Sequence, residues 1–143
     1  MLAVGSALLD KHNLAEIYVL KSRQWRSVEP YPFAGKLSFQ PVIHVNFGFY
    51  IFGGYANDTD TKTIARLDAK TYAWSLSGTI NNARRYHNVI YVDSSFLVIG
   101  GSGKLKTEKC QLLSSVDRVI CTTQEPTLDN YTMWPELILV EDD

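Results

Sequence analysis

No run of apolar residues in this sequence is long enough to cross a membrane as a helix, and charges of neither sign predominate. A membrane-spanning helix needs about 20 consecutive apolar residues, whereas stretches such as FGFYIFGG (residues 47–54) are far shorter. The 14 Lys and Arg residues nearly balance the 15 Asp and Glu residues, which gives a net charge of −1. Such a balance provides no general attraction to nucleic acid or to anionic membranes. We therefore predict neither a membrane span nor a nucleic-acid partner.

Cysteine is scarce, and its spacing does not favour a metal site. The two cysteines, Cys110 and Cys121, are eleven residues apart without a Cys-x-x-Cys pair, and the three histidines are scattered. A structural zinc site usually draws four such ligands from closely spaced pairs. We therefore predict no metal and no cofactor.

Sustained helical periodicity is also missing, and a repeat of strand-like patterns takes its place. FYIFGG (49–54) and FLVIGG (96–101) are 47 residues apart, and FQPVIHV (39–45) and YHNVIYV (86–92), which precede them, have the same spacing. A third copy of the second pattern follows in MWPELILV (133–140). Runs of aromatic and β-branched residues that end at turn residues predict strands. The constant interval indicates one structural unit used repeatedly.

Each repeat predicts four strands, which we label a to d, and four-stranded units of this length are typical of β-propeller blades. The predicted fold is all-β, a portion of a kelch-type propeller with about three four-stranded blade-equivalents in one partial domain (1–143). It comprises a partial blade with strands b, c and d (1–35), two full blades (36–80 and 81–125), and the first strand of a further blade (126–143).

The cysteines fall in the predicted c and d strands of the second full blade. Because those strands are expected to pair antiparallel, Cys110 and Cys121 can face each other and form a disulfide, which contributes about 2–4 kcal/mol to stability. A disulfide would favour an extracellular or luminal location, whereas two free thiols would suit the cytosol. The sequence leaves the compartment open.

The repeat resembles kelch repeats, whose unit has an Arg-x-x-His-like start, a strand closed by Gly-Gly, and later Tyr-Asp, Thr and Trp. This chain departs from the pattern at Leu67, in place of the tyrosine, and at Val19, in place of the aspartate. The resemblance implies a cytoplasmic location and structural roles for the residues that match. Those residues are Gly53, Gly54, Gly100, Gly101, Trp25, Trp74, Arg84 and His87. Because Trp25 and Trp74 recur at about the interval of the repeat, both are predicted to pack between blades.

Three blade-equivalents are fewer than the four to eight that usually close a propeller ring. An open arc would expose apolar blade faces and unpaired strand edges. The chain is therefore expected to be a fragment of a longer propeller, or to associate with a second copy that completes the ring.

The resemblance implies a non-enzymatic protein-binding or scaffold module that uses the loops at the blade ends, because a rigid sheet presents such loops on one face. The alternative is a piece of a larger propeller enzyme, such as a galactose-oxidase-like oxidase or a glycan-processing enzyme. We identify no catalytic, cofactor-binding or metal-binding residue. The residues predicted to contact a protein partner lie in the loops at 55–62 and 101–109 and at the starts of the a strands. They are Asn57, Asp58, Asp60, Lys104, Lys106, Arg84 and Arg85.

Overall fold

The computed structural model of the chain describes residues 1–4, 14–33, 37–102 and 106–127. These residues form strands and no helix, so the prediction of an all-β fold is confirmed. No segment within those ranges is a helix that could cross a membrane. The strands are β1 (Leu2–Val4), β2 (Ala15–Val19), β3 (Gln24–Val28), β4 (Leu37–Ser38), β5 (Val42–Val45), β6 (Gly48–Phe52), β7 (Tyr55–Ala56), β8 (Thr59–Asp60), β9 (Thr63–Asp68), β10 (Trp74–Thr79), β11 (His87–Val92), β12 (Ser95–Gly100), β13 (Lys106–Leu113) and β14 (Arg118–Thr127).

Most strands belong to two antiparallel meanders that together make an eight-stranded sheet. Unit 2 consists of β5, β6, β9 and β10, and unit 3 consists of β11 to β14. Their last strands, β10 and β14, pair in parallel, with Gly78 opposite Val119. At the other edge β5 and β11 lie side by side, so the sheet is nearly closed. Because β10 and β14 pair in parallel and each unit is an antiparallel meander, equivalent strands of the two units run in the same direction.

Unit 1 is a separate antiparallel sheet of β1, β2 and β3, which occupy the positions predicted for strands b, c and d. A small sheet consists of β4, β7 and β8. β4 precedes unit 2 in the chain, and β7 and β8 form the connection between β6 and β9. The blade boundaries themselves remain a prediction. The predicted strand in 133–140 lies outside the described residues.

The core consists of two apolar layers on opposite faces of unit 2. All five residues of β6 are buried. Because successive side chains of a strand point to opposite faces, Phe49 and Ile51 pack in the layer shared with unit 1, and Tyr50 and Phe52 pack in the layer shared with unit 3. Burial of one such large apolar side chain contributes about 1.5–3 kcal/mol. Unit 2 is therefore the middle layer of a three-unit stack.

The 47-residue interval recurs in the backbone geometry. Asn46 and Asp93, in the β5–β6 and β11–β12 turns, both have positive φ values, of 54° and 48°. Asparagine and aspartate tolerate this conformation better than most residues. Gly53 and Gly100, at the ends of β6 and β12, also have positive φ values, of 52° and 73°. Turns of the same kind thus close equivalent strands of units 2 and 3.

The two tryptophans predicted to pack between blades lie in different environments. Trp74 contacts Tyr31 edge-on, with ring centroids 5.3 Å apart, and its Nε1 donates a 2.7 Å hydrogen bond to the Glu29 carbonyl. Trp25 contacts Tyr18 within unit 1 but is 50% exposed. Only Trp74 therefore packs between units within the described residues.

Candidate interaction surface

An aromatic surface forms where the two a strands begin. Phe39 and Tyr86, 47 residues apart, both have a φ of 58°, and their ring centroids are 4.6 Å apart. The Tyr86 amide donates a 3.2 Å hydrogen bond to the Phe39 carbonyl. Positive φ is strained for bulky aromatic residues, and such strain persists where the surroundings fix the backbone, often at binding sites. Phe39 remains 43% exposed, so this geometry presents an apolar ring to solvent.

Arg85 is held beside this pair by two aromatic rings and a carboxylate. Its Cζ lies 4.3 Å from the Tyr55 ring centroid and 5.3 Å from that of Tyr86. Its Nη1 lies 3.3 Å from Oδ1 of Asp60, and both side chains are partly exposed. Stacking on aromatic faces and planar pairing with carboxylates both suit the guanidinium group. We call Phe39, Tyr55, Asp60, Arg85 and Tyr86 the aromatic–arginine cluster.

Ser102 ties the cluster to the loop that follows β12. Its hydroxyl donates a 2.6 Å hydrogen bond to Oδ2 of Asp60. The Ser102 amide donates to the Arg85 carbonyl at 2.9 Å, and the Arg85 amide donates to the Ser102 hydroxyl at 3.3 Å. Three segments that are distant in sequence are thereby fixed in one arrangement.

The β7–β8 hairpin projects next to the cluster. Its tip, Asn57 and Asp58, is exposed, with φ values of 49° and 65°. Two consecutive positive φ values characterise the type I′ turn, which Asn and Asp favour and which matches the twist of the paired strands. Asn57 and Asp58 are thus presented to solvent on a defined turn.

Arg84 has a different role from its neighbour. It is fully buried; Nη2 contacts Oε1 of Glu108 at 2.7 Å, and Nη1 donates to the Gly100 carbonyl at 3.0 Å. Burial lowers the pKa of Arg84, and the Glu108 carboxylate opposes that effect. Of the two roles predicted for Arg84, contact with a partner is wrong, because its guanidinium is inaccessible. Its burial is compatible with the structural role.

Glu108 is the centre of the network around Arg84. Besides the guanidinium, its carboxylate accepts hydrogen bonds from the Asn81 amide at 2.6 Å and the Asn82 amide at 2.9 Å. Charge-assisted bonds of this kind offset the cost of removing a carboxylate from water. Glu108 thereby joins unit 3 to the segment that follows the last strand of unit 2.

The paired glycines allow the backbone to approach these segments closely. Gly53 and Gly54 have φ values of 52° and 102°, and the Gly54 amide donates to the Arg84 carbonyl at 2.9 Å. A Cβ at Gly53 would lie 2.8 Å from the same carbonyl oxygen. A Cβ at Gly101, which has a φ of 108°, would lie 2.8 Å from the Arg85 carbonyl oxygen. Both the conformation and the space therefore require glycine.

His87 is buried beside Arg84. Burial, with a smaller contribution from the Arg84 guanidinium, lowers the pKa of His87 from 6.5 to about 3. The imidazole is therefore neutral in the folded protein at physiological pH and inaccessible to a substrate.

We predict that acid destabilises the protein through His87. Because the folded pKa lies below the unfolded value, the unfolded chain takes up the proton first, and stability falls as the pH drops below about 6.5. At pH 5 the free energy of unfolding is about 2 kcal/mol lower than at pH 7.5, because it falls by about 1.4 kcal/mol per pH unit below about pH 6.5. Denaturant unfolding of the wild type and of His87→Phe at pH 7.5 and pH 5 measures it. Between pH 7.5 and pH 5, the unfolding free energy of the variant is expected to fall by about 2 kcal/mol less than that of the wild type. Equal decreases would contradict a lowered pKa of His87.

Cys110 and Cys121 lie directly opposite each other on β13 and β14 and form a disulfide bond. Glu108 approaches the same sulfur atoms closely enough to suggest a metal-ligand group. Its carboxylate already accepts from Arg84 and two backbone amides, and sulfur atoms bonded to each other are poor metal ligands. This group therefore does not constitute a metal site.

A cavity of about 260 Å³ lies at the opposite end of units 2 and 3, between their turns. It is lined by Tyr50, Arg66 and Asp117, among others. Nη2 of Arg66 contacts Asp68 at 3.0 Å, and its Nε lies 3.6 Å from the Asp117 carboxylate. Two carboxylates therefore already balance the one arginine of this cavity, which makes it a poor anion site.

The structure brings together some of the predicted partner residues. Asp60 and Arg85 form an ion pair, with Asn57 and Asp58 on the adjacent hairpin. Lys104 lies outside the described residues, and Lys106 begins β13. The sequence interpretation missed Glu108, although its alternation with Cys110 and Leu112 on one strand could have placed it on the buried face.

Comparison with known proteins shows a weak similarity to a kelch-repeat protein. No protein-family model matches the chain. The chain is 23% identical over 116 residues to the Kelch repeat and BTB domain-containing protein 12 of Homo sapiens, an alignment that covers 75% of this chain and 18% of that protein. The chain thus spans less than a fifth of the relative it matches. This similarity and the nearly closed all-β sheet together suggest a kelch-like propeller.

Proposed function

We propose that the chain is a non-enzymatic protein-binding module and that the aromatic–arginine cluster is its contact surface. The observation that carries the proposal is the placement of Phe39 and Arg85. An exposed ring on a strained backbone and an arginine side chain that is stacked, paired and 31% exposed both lie against Tyr86. A few residues supply most of the binding energy in protein interfaces, and Trp, Tyr and Arg are enriched among them.

The local architecture supports this role. In an antiparallel meander, the β6–β9 connection and the segments that enter β5 and β11 lie at the same end of the units. Ser102 and Asp60 hold these segments together, so little conformational entropy is lost when a partner binds. The weak similarity to a kelch-repeat protein suggests a protein-interaction module of kelch type.

The alternative, part of a larger propeller enzyme, has less support within the described residues. An active site requires titratable groups that converge on an accessible cavity. His87 is buried and neutral, and Glu108 is fully buried against Arg84. Neither side chain is accessible to a substrate in this arrangement.

The binding test uses two substitutions in the cluster and one matched control. Partners captured by the tagged chain are identified by mass spectrometry, and each is then titrated by calorimetry. Arg85→Ala and Phe39→Gly are each expected to weaken binding at least about tenfold, which corresponds to about 1.4 kcal/mol. Phe39→Gly removes the ring without adding strain, because glycine adopts positive φ freely.

The control for this test is Arg118→Ala, which removes an exposed arginine at the start of β14, far from the cluster in sequence and on a different strand. It should leave the affinity unchanged. An affinity that is equally insensitive to Arg85→Ala and Phe39→Gly would show that the partner binds elsewhere.

A further inference from the structure

Each of the three units has one turn that carries a large, exposed apolar side chain. Leu20 lies in the β2–β3 turn, Phe47 in the β5–β6 turn and Val116 in the β13–β14 turn. These side chains are 79%, 60% and 59% exposed. A single exposed apolar residue is ordinary, whereas a group of them at one place marks an interaction site. A shared function therefore requires that the three turns lie at the same end of the molecule.

The turns of units 2 and 3 share one end. Because β10 and β14 pair in parallel, the turns that precede them, β9–β10 and β13–β14, lie on the same side of the sheet. The cavity of about 260 Å³ between the units is lined by both Phe47 and Asp117. The β5–β6 turn of unit 2 is therefore next to the β13–β14 turn of unit 3.

Two contacts place the β2–β3 turn of unit 1 at this end as well. Cζ of Arg26 lies 5.9 Å from the ring centroid of Tyr72, and the Glu29 carbonyl accepts a hydrogen bond from Trp74. The contacts occur in the same order along both segments, so β3 and β10 run in the same direction. The turns that precede these two strands therefore point the same way. We call Leu20, Phe47 and Val116 the apolar turn tips.

Basic side chains accompany the apolar turn tips. Lys21 directly follows Leu20, and Nζ of Lys70, in the β9–β10 turn, lies 3.9 Å from the ring centroid of Phe47. A lysine can cover an apolar surface with its hydrocarbon stem while its ammonium group stays in a polar environment. Apolar tips edged by such groups suit the boundary between lipid headgroups and acyl chains.

The charge at this end is positive, although the whole chain has a net charge of −1. Within the described turns at this end and the first residue of β14, four exposed basic residues outnumber two exposed acidic ones. Arg66 and Asp68, at the same end, compensate each other in an ion pair. A local excess of Lys and Arg attracts a surface of anionic lipid over about the distance of a Debye length. The basic residues are Lys21, Arg23, Lys70 and Arg118, and the acidic residues are Asp93 and Asp117.

A bilayer fits these turns better than an acidic macromolecule does. The apolar turn tips belong to three separate turns, so a protein partner would need a pocket for each of them. Binding of single-stranded nucleic acid usually uses several aromatic side chains as stacking platforms, and only one of the three tips, Phe47, is aromatic. A fluid layer of lipid headgroups accommodates separate tips without matched pockets.

We propose that this end of the protein docks on an anionic lipid bilayer. The apolar turn tips enter the headgroup region, and the basic residues around them contact lipid phosphates. The aromatic–arginine cluster lies at the opposite end of the units and stays accessible to a partner. The inference does not depend on the proposed function.

Co-sedimentation of the chain with lipid vesicles tests the docking. The chain is expected to bind vesicles of phosphatidylcholine that contain about 30% phosphatidylserine, and to bind vesicles of phosphatidylcholine alone at least about fivefold more weakly. Raising the salt from about 0.1 M to about 0.5 M should release most of the bound protein, because salt screens exposed charges. No binding to the anionic vesicles at the lower salt concentration would overturn the proposal.

Matched substitutions locate the surface that binds the vesicles. Phe47→Ser and Lys70→Glu are each expected to lower the partition coefficient at least about fivefold. Leu76→Ser is the apolar control, since Leu76 is also 60% exposed but lies on β10 outside the turns. Lys62→Glu is the charge control, because Lys62 is exposed where β9 begins, at the opposite end. Both controls should bind as the wild type does, and losses as large as those of the test variants would overturn the proposal.

Fluorescence quenching distinguishes insertion into lipid from binding to negative charge alone. Brominated lipids should quench the added tryptophan of Phe47→Trp, and the same lipids should not quench that of Leu76→Trp. Soluble poly-L-glutamate provides negative charge without an apolar layer and is expected to bind the wild type more weakly than the anionic vesicles do. Equal binding to poly-L-glutamate, or equal quenching of the two tryptophan variants, would overturn the proposal. Circular dichroism establishes that each variant is folded.

Discussion

Replacing Arg84 with methionine is expected to lower the free energy of unfolding by about 3–5 kcal/mol, because the substitution leaves the Glu108 carboxylate buried without its counter-charge. Arg84 and Glu108 both have fully buried side chains, and their charged atoms are 2.7 Å apart. Chemical denaturation at pH 7.5, followed by circular dichroism, measures the loss. An unfolding midpoint unchanged from the wild type would contradict the buried pair.

A second substitution separates the charge effect from the loss of packing. Glu108→Gln in the Arg84→Met background removes the uncompensated charge and keeps one of the two oxygens, which can still accept from the amide of Asn81 or of Asn82. The double variant is therefore expected to be more stable than Arg84→Met alone, by about 1–2 kcal/mol. The control Arg118→Met, at an exposed site, should change stability by less than about 0.5 kcal/mol.

Reduction of the bond between Cys110 and Cys121 is expected to destabilise the protein by about 2–3 kcal/mol, because the bond closes a short loop in the unfolded chain. The two residues are eleven apart, and Cys110 is fully buried between units 2 and 3. Denaturant unfolding with and without a phosphine reductant measures the difference.

The control for this prediction is the variant with both Cys110→Ala and Cys121→Ala, whose unfolding should not respond to the reductant. Mass spectrometry of protein folded under oxidising conditions gives a second readout. Two free thiols in that material would contradict the bond.

The strands and their turns were predictable because their signals are local. Alternating β-branched and aromatic residues identify β5, β6, β11 and β12, and the residues that tolerate positive φ, such as Asn46 and Gly53, mark their ends. These preferences depend on a few neighbouring residues and on the 47-residue interval, both of which are visible in the sequence.

The features that depend on distant neighbours were not predictable. Phe39 and Tyr86 adopt positive φ although local preferences disfavour it for aromatic residues, because each is fixed by contacts from another unit. Arg84 and Arg85 are adjacent in sequence, yet one is buried against Glu108 and the other stacks on Tyr55. The packing between distant segments therefore decides which of the two arginines is accessible.

The burial of the two tryptophans was also not predictable from local sequence. Trp25 and Trp74 occupy equivalent positions, and the sequence predicts the same packing for both. Trp74 has a preceding unit that supplies Tyr31 and the Glu29 carbonyl, whereas Trp25 lies at the end of the described stack. Equivalent positions in a repeat share a backbone geometry, but their burial depends on whether a neighbouring unit is present.

Hydrogen–deuterium exchange of the chain, alone and saturated with an identified partner, tests the central claim most directly. The account predicts slower exchange in residues 37–40, 55–62 and 84–87 on binding, with little change in the β9–β10 and β13–β14 turns at the opposite end of the units. Protection confined to those turns, with none around Arg85 and Phe39, would contradict a partner-binding surface at the aromatic–arginine cluster.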